Sequence, residues 1–371
     1  MINDIRIHLS IIMYMFGCFS IMAFNAVMIY RKKVDNKAMQ KNTDKWIKTI
    51  HQQLNSNIVS RRVTKKLKHV EKLMAFYTAL NHFKHRCSDS YDKYMTMLTE
   101  SAVFQPIALA YKKKKSAERA YFAYFVNQYP SVAKNTDGIC KNITDTMVSF
   151  ITASNIYCGV NVLKALCRVG DMHGVINTLQ FFSDKSVYVH HKLLAEDLHS
   201  FSGNKEELAA KLWENHSMWS DNIVLGVISF ITMFSDGFKS DFLPVLERQS
   251  TNATICLAII RYYKKYSFAP AQPILIKHLN QTDNYDIAIE AASALSTYPG
   301  FITTRALGGA LQSENWHVRY NAASSLVELG VFTDNTSDRI PSGNNDVQQM
   351  VQYRLAHANG ENYMNVSDIT A

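Results

Sequence analysis

Hydrophobic and polar positions along the chain follow two different periods. From Leu9 to Ile29 the run LSIIMYMFGCFSIMAFNAVMI holds 21 residues without a formal charge. At about 1.5 Å per residue, a helix of that length matches the ~30 Å hydrocarbon layer of a bilayer. In the last two thirds of the chain, apolar residues instead recur at i, i+4, i+5 and i+8, which is one face of a helix. Val318, Ala322, Ala323 and Leu326 set this stripe within Asn315–Gly330. It returns at Ile287, Ala291, Ala292 and Leu295, at Ile255, Ile259, Ile260 and Tyr263, and at Ile223, Val227, Ile228 and Ile231. Two earlier copies, Val189, Leu193, Leu194 with Asp197, and Cys158, Val162, Leu163 with Leu166, extend the series at steps of 31 to 34 residues.

Shorter apolar pieces between the stripes predict a second, antiparallel helix in each unit: 175–182, 208–213, 242–247, 274–279 and 306–312. Pro244 and Pro273 are placed near the starts of two of them, where a missing N–H costs least. Gly170, Gly300 and Gly330 are read as residues that end longer helices. No alternating β-branched run competes, so the expected fold class is all-α. A helical pair of this size cannot bury its own apolar face, and stacking against its neighbours provides the continuous core. Ala291, Ala292, Ala322 and Ala323 are expected to let successive helices approach closely.

Composition changes this picture in one respect, the distribution of charge. The formal net charge is +9. It is concentrated in residues 31–72, at net +10, and 73–115, at net +4, whereas 116–371 carry net −5. A mildly acidic body offers no phosphate-tracking face, so no nucleic-acid partner is expected. Arg31, Lys32 and Lys33 follow the apolar run at once, which favours a membrane anchor over a cleaved signal peptide. With Lys37, Lys41, Lys45 and Lys48 they place the body in the cytoplasm by the positive-inside rule. Trp46, Ile47, Ile50 and Leu54 sit at helical spacing among these lysines. They predict either an amphipathic helix lying on anionic lipid or a solvated basic linker.

Candidate chemistry is sparse. The sequence has six cysteines without paired spacing, suited to a reducing compartment. His82, His85 and Cys87 have soft donors but no evident fourth ligand, and His190, His191 and His199 lie on one repeat. The lipase, zinc-protease, phosphate-loop and EF-hand spacings do not occur, and no cofactor, metal or catalytic residue is assigned. Trp213 and Trp219, with Tyr121, Phe122, Tyr124 and Phe125, are read as core. Trp316, at the edge of a unit, with His317, Arg319 and Tyr320, is the candidate partner-binding patch.

The segments NWHVRYNAASSLVELG and DIAIEAASALSTYPG (286–300) resemble HEAT repeats of the short, bilin-lyase-like bacterial type. LMAFYTALNHF and AERAYFAYFVNQYP, within 73–130, are similar to the N-terminal part of membrane-anchored HEAT-repeat proteins of low-GC Gram-positive bacteria. The resemblance implies an α-solenoid that acts by binding a membrane-associated protein, with a membrane glycosyltransferase or envelope-assembly system as client. It also implies that Arg319 ties adjacent units, although the family's preceding acidic position is Asn315 here. The alternative it leaves is a HEAT-like enzyme or tetrapyrrole-handling protein.

The expected organisation is a single transmembrane anchor over 1–30 and a basic juxtamembrane segment over 31–72. An N-terminal helical region over 73–150 and HEAT-like repeats over 151–333 follow. A capping helix with a polar tail, built on Val347, Met350, Val351, Tyr353 and Leu355, occupies 334–371. Oligomeric state is left open.

Overall fold

The computed structural model describes residues 2–135, 138–248, 252–281, 284–332 and 345–358. Among these the chain is all-α, with nineteen helices. The one strand pairing is a two-residue ladder, Lys134–Asn135 against Gly138–Ile139. The chain separates into two compact units. The first comprises residues 1–178 with 201–203, and the second 179–200 with 204–371.

In the first unit, α1 (Ile2–Ser56) is one unbroken helix of 55 residues. It is followed by α2 (Arg61–Leu67), α3 (Val70–Arg86), α4 (Ser88–Glu100), α5 (Phe104–Lys112), α6 (Ser116–Gln128), α7 (Lys141–Val148) and α8 (Ile156–Val169). The helix α9 (Met172–Asp184) crosses the division between units. Residues 31–56 are thus neither a linker nor a separate lipid-lying element. Thr43, Trp46, Ile50 and Gln53 bury one face of α1 against α3 and α4. The Trp46 ring meets Phe76 edge-on at 4.9 Å, Gln53 accepts a hydrogen bond from the Tyr94 hydroxyl at 2.7 Å, and Lys72 donates to Asn42 at 2.7 Å. Beyond α1, α3 packs on α6 and α6 on α8. The core of this unit is largely aromatic: Phe104 stacks on Phe125 at 5.5 Å and Tyr111 on Phe122 at 5.0 Å, all four fully buried.

The second unit continues with α10 (His191–His199), α11 (Lys205–Glu214), α12 (Asp221–Phe234), α13 (Lys239–Glu247), α14 (Ala253–Lys265), α15 (Gln272–Leu279), α16 (Tyr285–Ala294), α17 (Phe301–Ala310), α18 (Trp316–Glu328) and α19 (Asn345–Ala358). The first helices of successive pairs stack in order, α10 on α12, then α14, α16 and α18, while α11, α13, α15 and α17 each lie against the first helix of the next pair. All sixteen stripe positions of the four later copies are buried. An isoleucine buried in this way stabilises by roughly 1.5–3 kcal/mol relative to exposure.

Local chemistry starts these helices. Asn252, Asn284 and Asn315 cap α14, α16 and α18, each side chain accepting from backbone N–H groups two or three residues on. Close approach of α16 and α18 is visible where Ser325 Oγ donates to the Ala292 carbonyl at 2.8 Å. Between α12 and α10 the same role falls to Gly226, where a Cβ would come within 2.4 Å of Leu194 Cδ2.

Three local expectations change. In the copy near 190 the buried positions are Val189, Leu194, Ala195 and Leu198, while Leu193 is exposed. Val189 keeps the first column, and within α10 the buried stripe runs one residue later than expected, with Leu198 in place of Asp197. Pro244 lies inside α13, six residues in, whereas Pro273 does occupy the start of α15. Gly170 ends α8 in the left-handed conformation at φ 87°, but Gly300, at φ 143°, stands at the N-cap of α17 and ends nothing. Tyrosines tie neighbouring pairs together where the resemblance implied an arginine. Tyr298 Oη donates to the Tyr263 carbonyl and accepts from Phe268 N, both at 3.1 Å, and Tyr263 Oη donates to the Lys239 carbonyl at 2.6 Å. Tyr262 Oη accepts from Phe238 N at 3.1 Å, and burial pushes its hydroxyl up to about 12.

The expected capping helix corresponds to α19, in which Met350, Val351 and Leu355 are buried and Tyr353 is exposed. The polar segments 333–344 and 359–371 lie outside the described residues.

Candidate partner-binding site

Stacking of α10, α12 and α14 leaves a groove of about 370 Å³ along their outer faces. Its floor is apolar, formed by Ala195, Leu225, Ile228, Leu257 and Ala258, and its rim carries His191, Lys192, Glu196 and Arg261. Gly226 sets the depth on one side by letting α12 settle onto Leu194. Arg261 is held by Glu290 of α16, Nη2 to Oε2 at 2.9 Å, so its guanidinium is aimed along the rim. His191 stacks on His190 at 4.6 Å. Burial, followed by the positive fields of His190, Lys192 and Arg261, lowers its imidazole below the ordinary range and favours the neutral ring. Lys265 turns away to donate to the Thr232 carbonyl at 2.7 Å, closing the end of α12. An apolar floor with a charged rim is a shape that accepts one face of an amphipathic helix.

The groove was not singled out from the sequence. Ile228 of its floor belongs to the core stripe, and Leu225, Leu257 and Ala258 stand beside stripe positions, so they look like unremarkable aliphatic positions until three helices are set side by side.

The patch expected from the sequence is only partly assembled. Trp316, 50% exposed, stacks on Tyr320 with centroids 5.1 Å apart and planes at 16°, and His317 meets Trp316 edge-on at 5.0 Å. Arg319 does not join them. Its Nη1 donates to the carbonyls of Ser313 and Glu314 at 2.8 and 3.0 Å, fastening the loop before its own helix. The cation that does join is Arg354 of α19, whose Cζ lies 5.2 Å from the Tyr320 ring centroid while Nη1 donates to Tyr320 Oη at 3.0 Å. The i, i+4 aromatic pair was legible, but the arginine that caps it comes from α19, 34 residues further along the chain.

Trp213 and Trp219 are buried, Trp213 lying flat on His216 at 4.3 Å, and Phe122 and Phe125 are core residues. Tyr124 faces outward enough to share a hydrogen bond with the Tyr77 hydroxyl at 3.2 Å. Among the described residues no group of three His, Cys, Asp or Glu side chains is placed to hold a metal ion.

The remaining candidates belong to α1. The backbone of Leu9 lies within it, Ile29 is exposed, and Arg31, Lys32 and Lys33 are exposed immediately beyond. This helix is long and apolar enough to cross a membrane, and from Met13 onward protein covers none of its apolar stretch. The chain matches no family model, and no curated protein matches it.

Proposed function

We propose that the protein is a non-enzymatic scaffold, tethered to the cell membrane by α1, with its helical body in the cytoplasm acting as a HEAT-like solenoid that binds a protein partner. The observation that carries this reading is the apolar groove across three successive first helices, in a chain whose leading apolar helix is uncovered. The positive-inside arrangement of Arg31, Lys32 and Lys33 supports the cytoplasmic placement. A tether raises the effective concentration of a membrane-borne partner without new contacts, which suits a membrane glycosyltransferase or envelope-assembly component as client. The groove lining contains no Phe, Tyr or Trp, which favours a helix as occupant over a flat tetrapyrrole.

Ala258→Arg fills the groove with a long charged side chain at a half-buried position. In purifications from detergent-solubilised membranes, the variant is expected to lose a membrane protein that the parent chain retains reproducibly. If the parent retains none, or the variant retains it equally, the reading fails.

A further inference from the structure

The basic residues that follow the apolar run form a pattern visible only in the folded helix. Thr43, Trp46, Ile50 and Gln53 occupy the face of α1 that packs on the body. Lys37, Lys41, Lys45 and Lys48 fall on the opposite face and are all exposed, and no ion pair engages them among the described residues. They make a stripe that points away from the protein. The four lysines line one shallow cleft of about 440 Å³ together with Gln40 and Asp44, so the stripe carries four cations against a single carboxylate.

Position along the axis decides what such a stripe meets. The helix is continuous from Ile2 to Ser56, and its far end is fastened by Trp46 and Gln53. If the apolar run spans the hydrocarbon and ends near Ile29, Lys41, Lys45 and Lys48 stand about 18, 24 and 28 Å beyond it at 1.5 Å per residue. The headgroup layer accounts for only about 6 Å of that, and charges in physiological salt are screened over about 8 Å. Even a tilt near 40° leaves Lys45 about 18 Å from the hydrocarbon edge. Arg31, Lys32, Lys33 and Lys37, the last about 12 Å out, can serve the lipid, whereas Lys45 and Lys48 stand beyond its reach.

We propose that this distal stripe is the docking surface for an acidic, membrane-borne helix: the juxtamembrane segment of a partner protein that runs alongside α1 and carries Asp or Glu at matching one-turn spacing. The proposal rests on the membrane-tethered reading above and specifies the chemistry of its partner. Charge complementarity selects an acidic surface, and a second copy of this chain would bring an equally basic helix. The stripe has no aromatic interleaved between its lysines, so it lacks the stacking groups that single-stranded nucleic acids use.

The test uses the full chain in membranes of the expressing cell, with p-benzoyl-phenylalanine in place of Lys41 and irradiation in situ. The expected product is a protein adduct whose cross-linked peptide, mapped by mass spectrometry, is net acidic and lies within about 20 residues of a membrane span. The adduct is expected to be lost in Lys45→Glu/Lys48→Glu and kept in Lys45→Arg/Lys48→Arg. These sites are exposed, and Arg31, Lys32 and Lys33 remain to hold the orientation. An adduct only to lipid, to a basic or soluble segment, or one that survives charge reversal overturns the proposal, as does no adduct at all. Alkaline carbonate extraction separates the two failures. Release of the parent chain from the membrane pellet sinks the tethered reading itself, whereas retention without an acidic adduct sinks only the stripe.

Discussion

The two units bury their helices by different means. The first is held by large aromatic side chains drawn from irregular sequence positions, with Phe76 in contact with Trp46, Tyr94 and Phe125 at centroid distances of 4.9, 6.4 and 6.1 Å. The second also buries rings, Phe242 meeting Trp213 and Tyr262 at 4.5 and 4.6 Å, but adds aliphatic and small residues repeated at a step near 32, with Gly226, Ala291, Ala292, Ala322 and Ala323 at the close contacts. Aromatic packing concentrates stability in a few irreplaceable rings. Repeated packing spreads it over nearest-neighbour interfaces, so that each contributes modestly and the sum carries the stack.

The strongest way to break this comparison is Phe76→Ala. The ring is fully buried in the aromatic cluster, and its removal is expected to cost about 3–5 kcal/mol in chemical denaturation followed by circular dichroism. A loss below about 1 kcal/mol would show that the cluster is not concentrated at this ring. Next in size is Gly226→Val. Its added carbon atoms press on Leu194 and should cost about 1–3 kcal/mol, and Leu194→Ala in the same chain should recover part of that loss. A non-additive recovery in the double variant is the signature of direct contact between α10 and α12. The smallest effect is expected from Arg261→Ala. Arg261 is 60% exposed, so losing its pair with Glu290 should change stability by less than about 1 kcal/mol, and still less at high salt. A larger loss would mean that the second unit relies on polar ties between pairs more than on its small-residue contacts.

Much of the second unit was legible because its pattern is redundant. Four copies of one stripe, three of them followed by a shorter apolar piece, constrain one another, and the helices they implied are present. Legibility faded where a single copy had to stand alone. Near 190, Leu193 is as apolar as Leu194 and Leu198, and only packing against α12 shows which of them face inward. Pro244 illustrates the same limit, since the helix expected over 242–247 begins three residues earlier, at Lys239, and holds the proline inside it. The candidate site was less legible still. Trp316, His317 and Tyr320 were found as a local pattern, whereas Arg319 and Arg354 exchanged roles because hydrogen bonds to loop carbonyls and to Tyr320 depend on elements far apart in the chain.

The amino-acid order by itself determined the helical class, the apolar run of 21 residues and the basic block behind it, since each depends only on neighbours within a turn or on a length. The folded arrangement decided that the basic block continues α1, which face of it packs on α3, and where α10, α12 and α14 leave a groove. Those outcomes depend on which side chains meet across the chain, and a one-dimensional pattern records a residue's polarity without recording its neighbour.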